Sequence, residues 1–215
     1  MEIGTPLGLG LASGINAYLP LLSFAVSARW LNLYKVNPNF AFITSNWCII
    51  ALVMLTIIDF VADKIPLIDH TWDATHTFIR PLAGALVAAA SSSQVIIPIG
   101  TSSISSHLLG TVSIATGNIH IVGIGLLVIA LLGGLLALMS HTAKATTRLI
   151  STFTTAGLLN AILSIGEDIL VVIAILLSLF VPAIMLILVV LFLLIFGPLI
   201  LRAWRRRRRS KLVDL

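Results

Sequence analysis

The sequence predicts an all-α membrane protein, a polytopic bundle of about six transmembrane helices. Three observations carry this. Of 215 residues, 59% are hydrophobic and 10% charged, where a soluble domain carries about 25% charged residues. Mean hydropathy is +1.12. Apolar runs of roughly 20 residues, the length that spans a bilayer, recur along the chain. The expected organisation is one membrane domain over residues 1–204, with halves at 1–100 and 119–204, a loop at 91–118 and a basic tail at 205–215.

The net charge of +5 is a local property. Residues 202–214 hold Arg202, the run Arg205 to Arg209, Lys211 and Asp214, so the rest of the chain is close to neutral. The basic run directly after an apolar segment is a topology signal and a contact for anionic lipids, placing the C-terminus in the cytoplasm. Nothing in it resembles a nucleic-acid module. Cys48 is the sole cysteine. It excludes an intrachain disulfide and any multi-cysteine metal site, and it suits apolar packing.

The chain begins MEIGTPLG, with an acid where a cleavable leader would be basic, so the first helix is expected to remain. Residues 6–28 form that segment. It is Gly-rich and holds Asn16 near its centre and Pro20 just after. Two forms fit: an unbroken helix packed through small residues, or a broken helix that lends backbone groups to a site. Arg29, Trp30, Tyr34 and Lys35 follow as an interfacial belt. Residues 47–65 form the second span, with Asp59 inside the apolar run. Asp63 and Lys64 lie near its end, where snorkelling would relieve their cost.

The segment DFVADKIPLIDHTWDATHTFIRP (59–81) concentrates charge in a chain otherwise nearly free of it. Asp69, Asp73, His76 and Arg80 follow at steps of four, three and four, on one helical face. Asp59 and Asp63 make a second pair at i, i+4. Pro66 is expected to break the helix between them. The third span is expected from about Phe78, with Pro81 at its start or as a kink. Residues 91–118, rich in Ser, Thr and Gly, predict a loop.

Residues 119–139 are the fourth span. His141, Lys144 and Arg148 follow it at steps of three and four, a basic helical face. It serves either as a cationic flank or as the partner of the acidic stretch. Residues 155–181 are the fifth span, with Asn160 near its start and Glu167 and Asp168 at its midpoint. A carboxylate at a helix centre costs about 2.5–3.5 kcal/mol on insertion scales, so two need partners, protons or a cation. Gly166 just before them allows two half-helices. Residues 183–204 are the sixth span, Leu-rich and lipid-facing. ASGINAYLPL (12–21) and TAGLLNAILSI (155–165) share an Asn-Ala pair after small residues, which allows a three-plus-three inverted repeat.

At GLASGINAYLPLL (10–22), ADKIPLIDHTWDATHTFIRPLAGA (62–85) and HTAKATTRLISTFTTAGLLNAILSIGED (141–168), the chain resembles an uncharacterised bacterial membrane family, domain-of-unknown-function family 4126. The resemblance covers roughly residues 4–182. It departs where Ala156-Gly157 and Asn160-Ala161 stand for the family's Gly-Gly and Asn-Pro, and where Asp59 stands for the more usual Glu. The resemblance implies a compact inner-membrane protein with a polar centre and brings no activity.

Three functions fit these residues. In a small transporter or channel-like protein, Asn16, Asp59, Asp63, Asp69, Asp73, His76, Arg80, His141, Lys144, Arg148, Asn160, Glu167 and Asp168 bind an ion or solute or relay protons. Asp63, Asp69, Asp73, Glu167 and Asp168 are the candidate ligands of a divalent cation. In an intramembrane enzyme, the Asp pairs hold a metal on a phosphorylated lipid, although known lipid-transferase signatures are missing. In a structural protein, acidic and basic faces neutralise each other. No strong catalytic signature is present.

Overall fold

The computed structural model describes the backbone of residues 3–63, 66–92, 111–155 and 160–213. It describes side chains for 3–63, 75–92, 125–151, 153 and 162–199. Every regular element among these residues is helical. In order they are α1 (Gly4–Ser13), α2 (Leu19–Arg29), a 3-10 segment (Pro38–Thr44), α3 (Asn46–Ala62), α4 (Pro66–Ser91), α5 (Thr111–Thr155), α6 (Asn160–Phe180) and α7 (Pro182–Val213).

The first apolar segment is broken, as the second of its two forms requires. α1 ends at Ser13 and α2 starts at Leu19. Asn16 supplies the restart: its side-chain oxygen accepts from the backbone N–H of Tyr18 (3.1 Å) and Leu19 (2.9 Å). Those N–H groups have no partner within their own helix, and an Asn before a helix is well suited to satisfy them. Pro20 sits in the first turn, where a missing N–H costs nothing.

The second span starts where Ser45 caps α3 by accepting from the Cys48 N–H, 3.3 Å. The chain bends by 63° between the 3-10 segment and α3. Asn37 N–H donates to Ala90 O at 3.0 Å and so ties the 3-10 segment to the end of α4. Arg29 donates to Thr44 O at 2.5 Å and lies over the Trp30 ring. Cys48 is half-buried against the core.

Three expectations need correction. α4 starts at Pro66, well before Phe78, and contains Pro81. Pro66 is well placed as a first helical residue. Residues 111–118 belong to α5, while 93–110 lie outside the described residues. Extending a helix costs little once it is nucleated, and this outweighs the Ser/Thr/Gly bias of those positions. α6 runs through Gly166 without a break. One glycine costs about 1 kcal/mol in a helix interior, too little to stop a 21-residue apolar one. The basic segment 205–213 of the tail is helical and continues α7.

Three described helices are long and apolar enough to cross a membrane, and a fourth is counted if the bent pair before Asp63 is one span. Six spans are therefore not confirmed among the described residues. α1 and α2 have 10 and 11 residues, and α4 carries the charged segment in its first half.

α1 is the central element, packed against α4, α5, α6 and α7. Glycines let it lie there. A Cβ on Gly10 would stand 2.7 Å from Gly133 Cα, and one on Gly133 would stand 2.7 Å from Gly84 O. Backbones of α1, α4 and α5 therefore meet directly, the small-residue packing expected of membrane helices. Gly133→Leu is expected to destabilise the bundle by more than the ~1–3 kcal/mol usual for overpacking, because the obstacles are backbone atoms. Gly197→Leu is the control, since nothing lies within 4 Å of that position. Thermal unfolding in detergent reads both. α7 is the opposite case, with 11% of its 182–199 window buried, as expected of a lipid-facing helix.

Candidate functional site

Most of the charged residues named from sequence whose side chains are described converge in the interior, beside the α1–α2 break. α5 supplies His141, Lys144 and Arg148 on one face, α4 supplies His76 and Arg80, α3 ends in Asp59 and Asp63, and α6 supplies Glu167. Arg80, His76, Asp59, His141, Lys144, Arg148 and Asn16 are all buried.

The centre is a four-residue ion cluster. Lys144 Nζ lies 2.8 Å from Asp63 Oδ2 and 3.3 Å from Glu167 Oε2. Arg148 NH2 lies 2.8 Å from Asp63 Oδ2 and 2.6 Å from Glu167 Oε2. Longer contacts make Arg148 two-pronged to each acid, through NH1 to Asp63 Oδ1 at 3.3 Å and Nε to Glu167 Oε1 at 3.4 Å. Flat guanidinium geometry suits such forked pairing, which a lysine cannot reproduce. The basic face after the fourth span is therefore the partner of the acids rather than a cationic flank. Asp63 is held here instead of snorkelling to an interface.

Arg80 is the third cation. Its NH1 donates to His141 Nδ1 at 2.7 Å and to Gly14 O at 3.4 Å, and NH2 lies 4.0 Å from Asp63. Arginine has no acceptor, so His141 Nδ1 must accept. The imidazole then carries its proton on Nε2, which donates to Thr77 Oγ1 at 3.2 Å. Lys144 Nζ donates in addition to Ile15 O at 3.2 Å. The break in α1–α2 thus contributes two carbonyls, Gly14 and Ile15, to the cations of α4 and α5. Ser140 binds the end of α1 through Leu11 O, 2.7 Å.

A second polar group lies one turn away. His76 Nε2 is 3.5 Å from Asp59 Oδ1, and the Tyr18 ring meets His76 edge-on at 5.8 Å. Asp59 and Asp63, adjacent on the helix surface, therefore serve different partners. Glu167 and Asp168 also separate. Asp168 borders an apolar cleft of about 350 Å³ lined by Phe60, Ile165, Ile169, Val172 and Ile173.

Asn160 lies in α6, but its side chain and those of Asp69 and Asp73 lie outside the described residues. Among the described residues, no three His, Cys, Asp or Glu side chains converge as a metal site. Sequence reasoning missed Thr77, Ser140, Tyr18 and the two carbonyls. Thr77 and Ser140 had a weak signal, each being the polar neighbour of a named residue, His76 and His141. A carbonyl has none except the break that frees it.

Fold and site together define a helical protein with several membrane-span-like helices and a buried network of alternating charge. The chain belongs to the family described as "Domain of unknown function (DUF4126)", whose model matches residues 3–202. Comparison with curated proteins and with solved structures gives no match.

Proposed function

We propose that the protein is a small transporter or channel-like membrane protein whose solute site is the Asp63–Lys144–Arg148–Glu167 cluster. One observation carries this: the interrupted α1–α2 segment presents the carbonyls of Gly14 and Ile15 to Arg80 and Lys144 inside the bundle. Irregular backbone within a membrane domain persists where it is buried in protein or lines a cavity. Discontinuous helices beside a charged centre are the recurrent plan of secondary transporters. Ionisable groups this costly to bury mark solute, ion or proton paths.

The site suits a solute better than a divalent cation, because Asp63 and Glu167 are each engaged by Lys144 and Arg148. The same engagement weighs against metal-dependent lipid chemistry through the Asp59/Asp63 pair. The shared Asn-Ala pairs at 16–17 and 160–161 are in keeping with a three-plus-three repeat as part of this reading. The arginine run places the C-terminus against anionic lipid on the cytoplasmic face of a bacterial plasma membrane.

Accessibility tests this without knowing the solute. In a Cys48→Ala background, Ile15→Cys places a thiol at the break. A membrane-impermeant thiol reagent is expected to label it from either side of oriented, sealed vesicles. Labelling from neither side, or from one side alone, would favour a purely structural ion cluster.

A further inference from the structure

We infer that the solute carries an oxyanion, a carboxylate or phosphate group with two charged oxygens, which binds Lys144 and Arg148 in place of Glu167. The inference rests on the transport reading and names its substrate class. Asp63 Oδ2 and Glu167 Oε2 come from different helices, yet both sit on the same two nitrogens, Lys144 Nζ and Arg148 NH2, at 2.6–3.3 Å. One carboxylate oxygen from each of two separate segments thus shares the same two cations, and an incoming oxyanion would take the place of one of them.

The cations are the fixed half of the cluster. Lys144 and Arg148 lie one turn apart on α5, the longest helix, and Lys144 is anchored further by Ile15 O. The acids come from elsewhere: Asp63 follows the last residue of α3, and Glu167 lies two turns into α6. Glu167 is also the most open member, with 13% of its side chain exposed against 3% for Lys144 and 6% for Arg148. An incoming group therefore meets Glu167 first. Its departure leaves Lys144 and Arg148 sharing the single carboxylate of Asp63, a local positive charge that an anion would neutralise. A cationic solute would instead have to displace the anchored side chains.

The test is thermal unfolding of the full chain in detergent, titrated separately with inorganic phosphate, succinate, spermidine and phosphatidic acid in mixed micelles. Phosphate or succinate is expected to raise the melting temperature saturably. Arg148→Gln is expected to abolish the effect. Glu167→Gln is expected to lower the half-saturating concentration about tenfold, as removal of one competing charge pair should. That gain is not the mark of a merely structural glutamate. Glu167→Asp, with a shorter reach, is expected to move the same way and replaces Glu167→Gln if that variant does not fold. Stabilisation by phosphatidic acid alone would assign the site to a lipid headgroup with the same chemistry. Stabilisation by spermidine with the anions inert would overturn the inference. So would inertness of all three anions towards wild type and both Glu167 variants. Two-sided labelling of Ile15→Cys in either case would leave transport standing and remove only the anion.

Discussion

Asp63→Asn is expected to destabilise the protein by about 3–5 kcal/mol, the usual result of removing one partner from a buried ion pair. Asparagine matches the shape of aspartate, so the loss reports charge rather than volume. Asp63 accepts from Lys144 and from both prongs of Arg148, and Arg80 stands 4.0 Å away. Without its charge, Lys144 and Arg148 share Glu167 as the remaining acid of the four-residue cluster. Burial limits screening, so the loss should persist at high salt, unlike that of a surface pair. Adding Lys144→Met should recover part of it, because the double change removes one charge of each sign. Residues sharing one network couple by roughly 0.5–3 kcal/mol, and the loss in the double variant should fall short of the sum of the two single losses by an amount in that range. Melting temperatures in detergent at two salt concentrations read the whole set. Additive losses would mean that Lys144 and Asp63 do not act as a unit.

The members of this cluster are legible in the sequence and their pairings are not. Charges stand out against an apolar chain, and helical spacing alone puts His141, Lys144 and Arg148 on one face. Which acid meets which base depends on how helices cross. Asp59 and Asp63 share a face by spacing, yet one turn of separation gives them His76 and the Lys144–Arg148 pair respectively. Glu167 and Asp168 are neighbours in sequence but point about 100° apart on a helix, so one joins the cluster and the other borders an apolar cleft. The two glycines show the same limit. Gly14 and Gly166 both invite a break. Only Gly14 stands in one, because Asn16 two residues later caps a new helix, whereas Gly166 is followed by residues that prolong the old one. The loop expected at 111–118 fails for a related reason: composition describes single residues, while helix propagation is cooperative.

Arg80→Ala is expected to cost about 3–5 kcal/mol, from lost packing and from buried acceptors deprived of a charged donor. Arg80 is among the largest fully buried side chains, with no exposed surface. Its loss leaves a cavity beside the α1–α2 break and removes the donor to Gly14 O and His141 Nδ1. Two substitutions separate these causes. Arg80→Met keeps most of the volume and removes the charge, leaving Lys144 and Arg148 to balance Asp63 and Glu167. It should recover roughly half the loss, since a buried charge replaced by an apolar group of similar size is often tolerated. Arg80→Lys keeps the charge but loses the fork, so one nitrogen must choose between His141 and Gly14 O. If Arg80→Lys is the more stable of the two, charge matters more than packing, and the positive charge at position 80 is a maintained property of the site. If Arg80→Met is the more stable, Arg80 serves chiefly to fill the centre and hold the break. Gly14 O then loses its role as a polar contact without loss of the fold, and recognition of a charged solute falls to Lys144 and Arg148 alone.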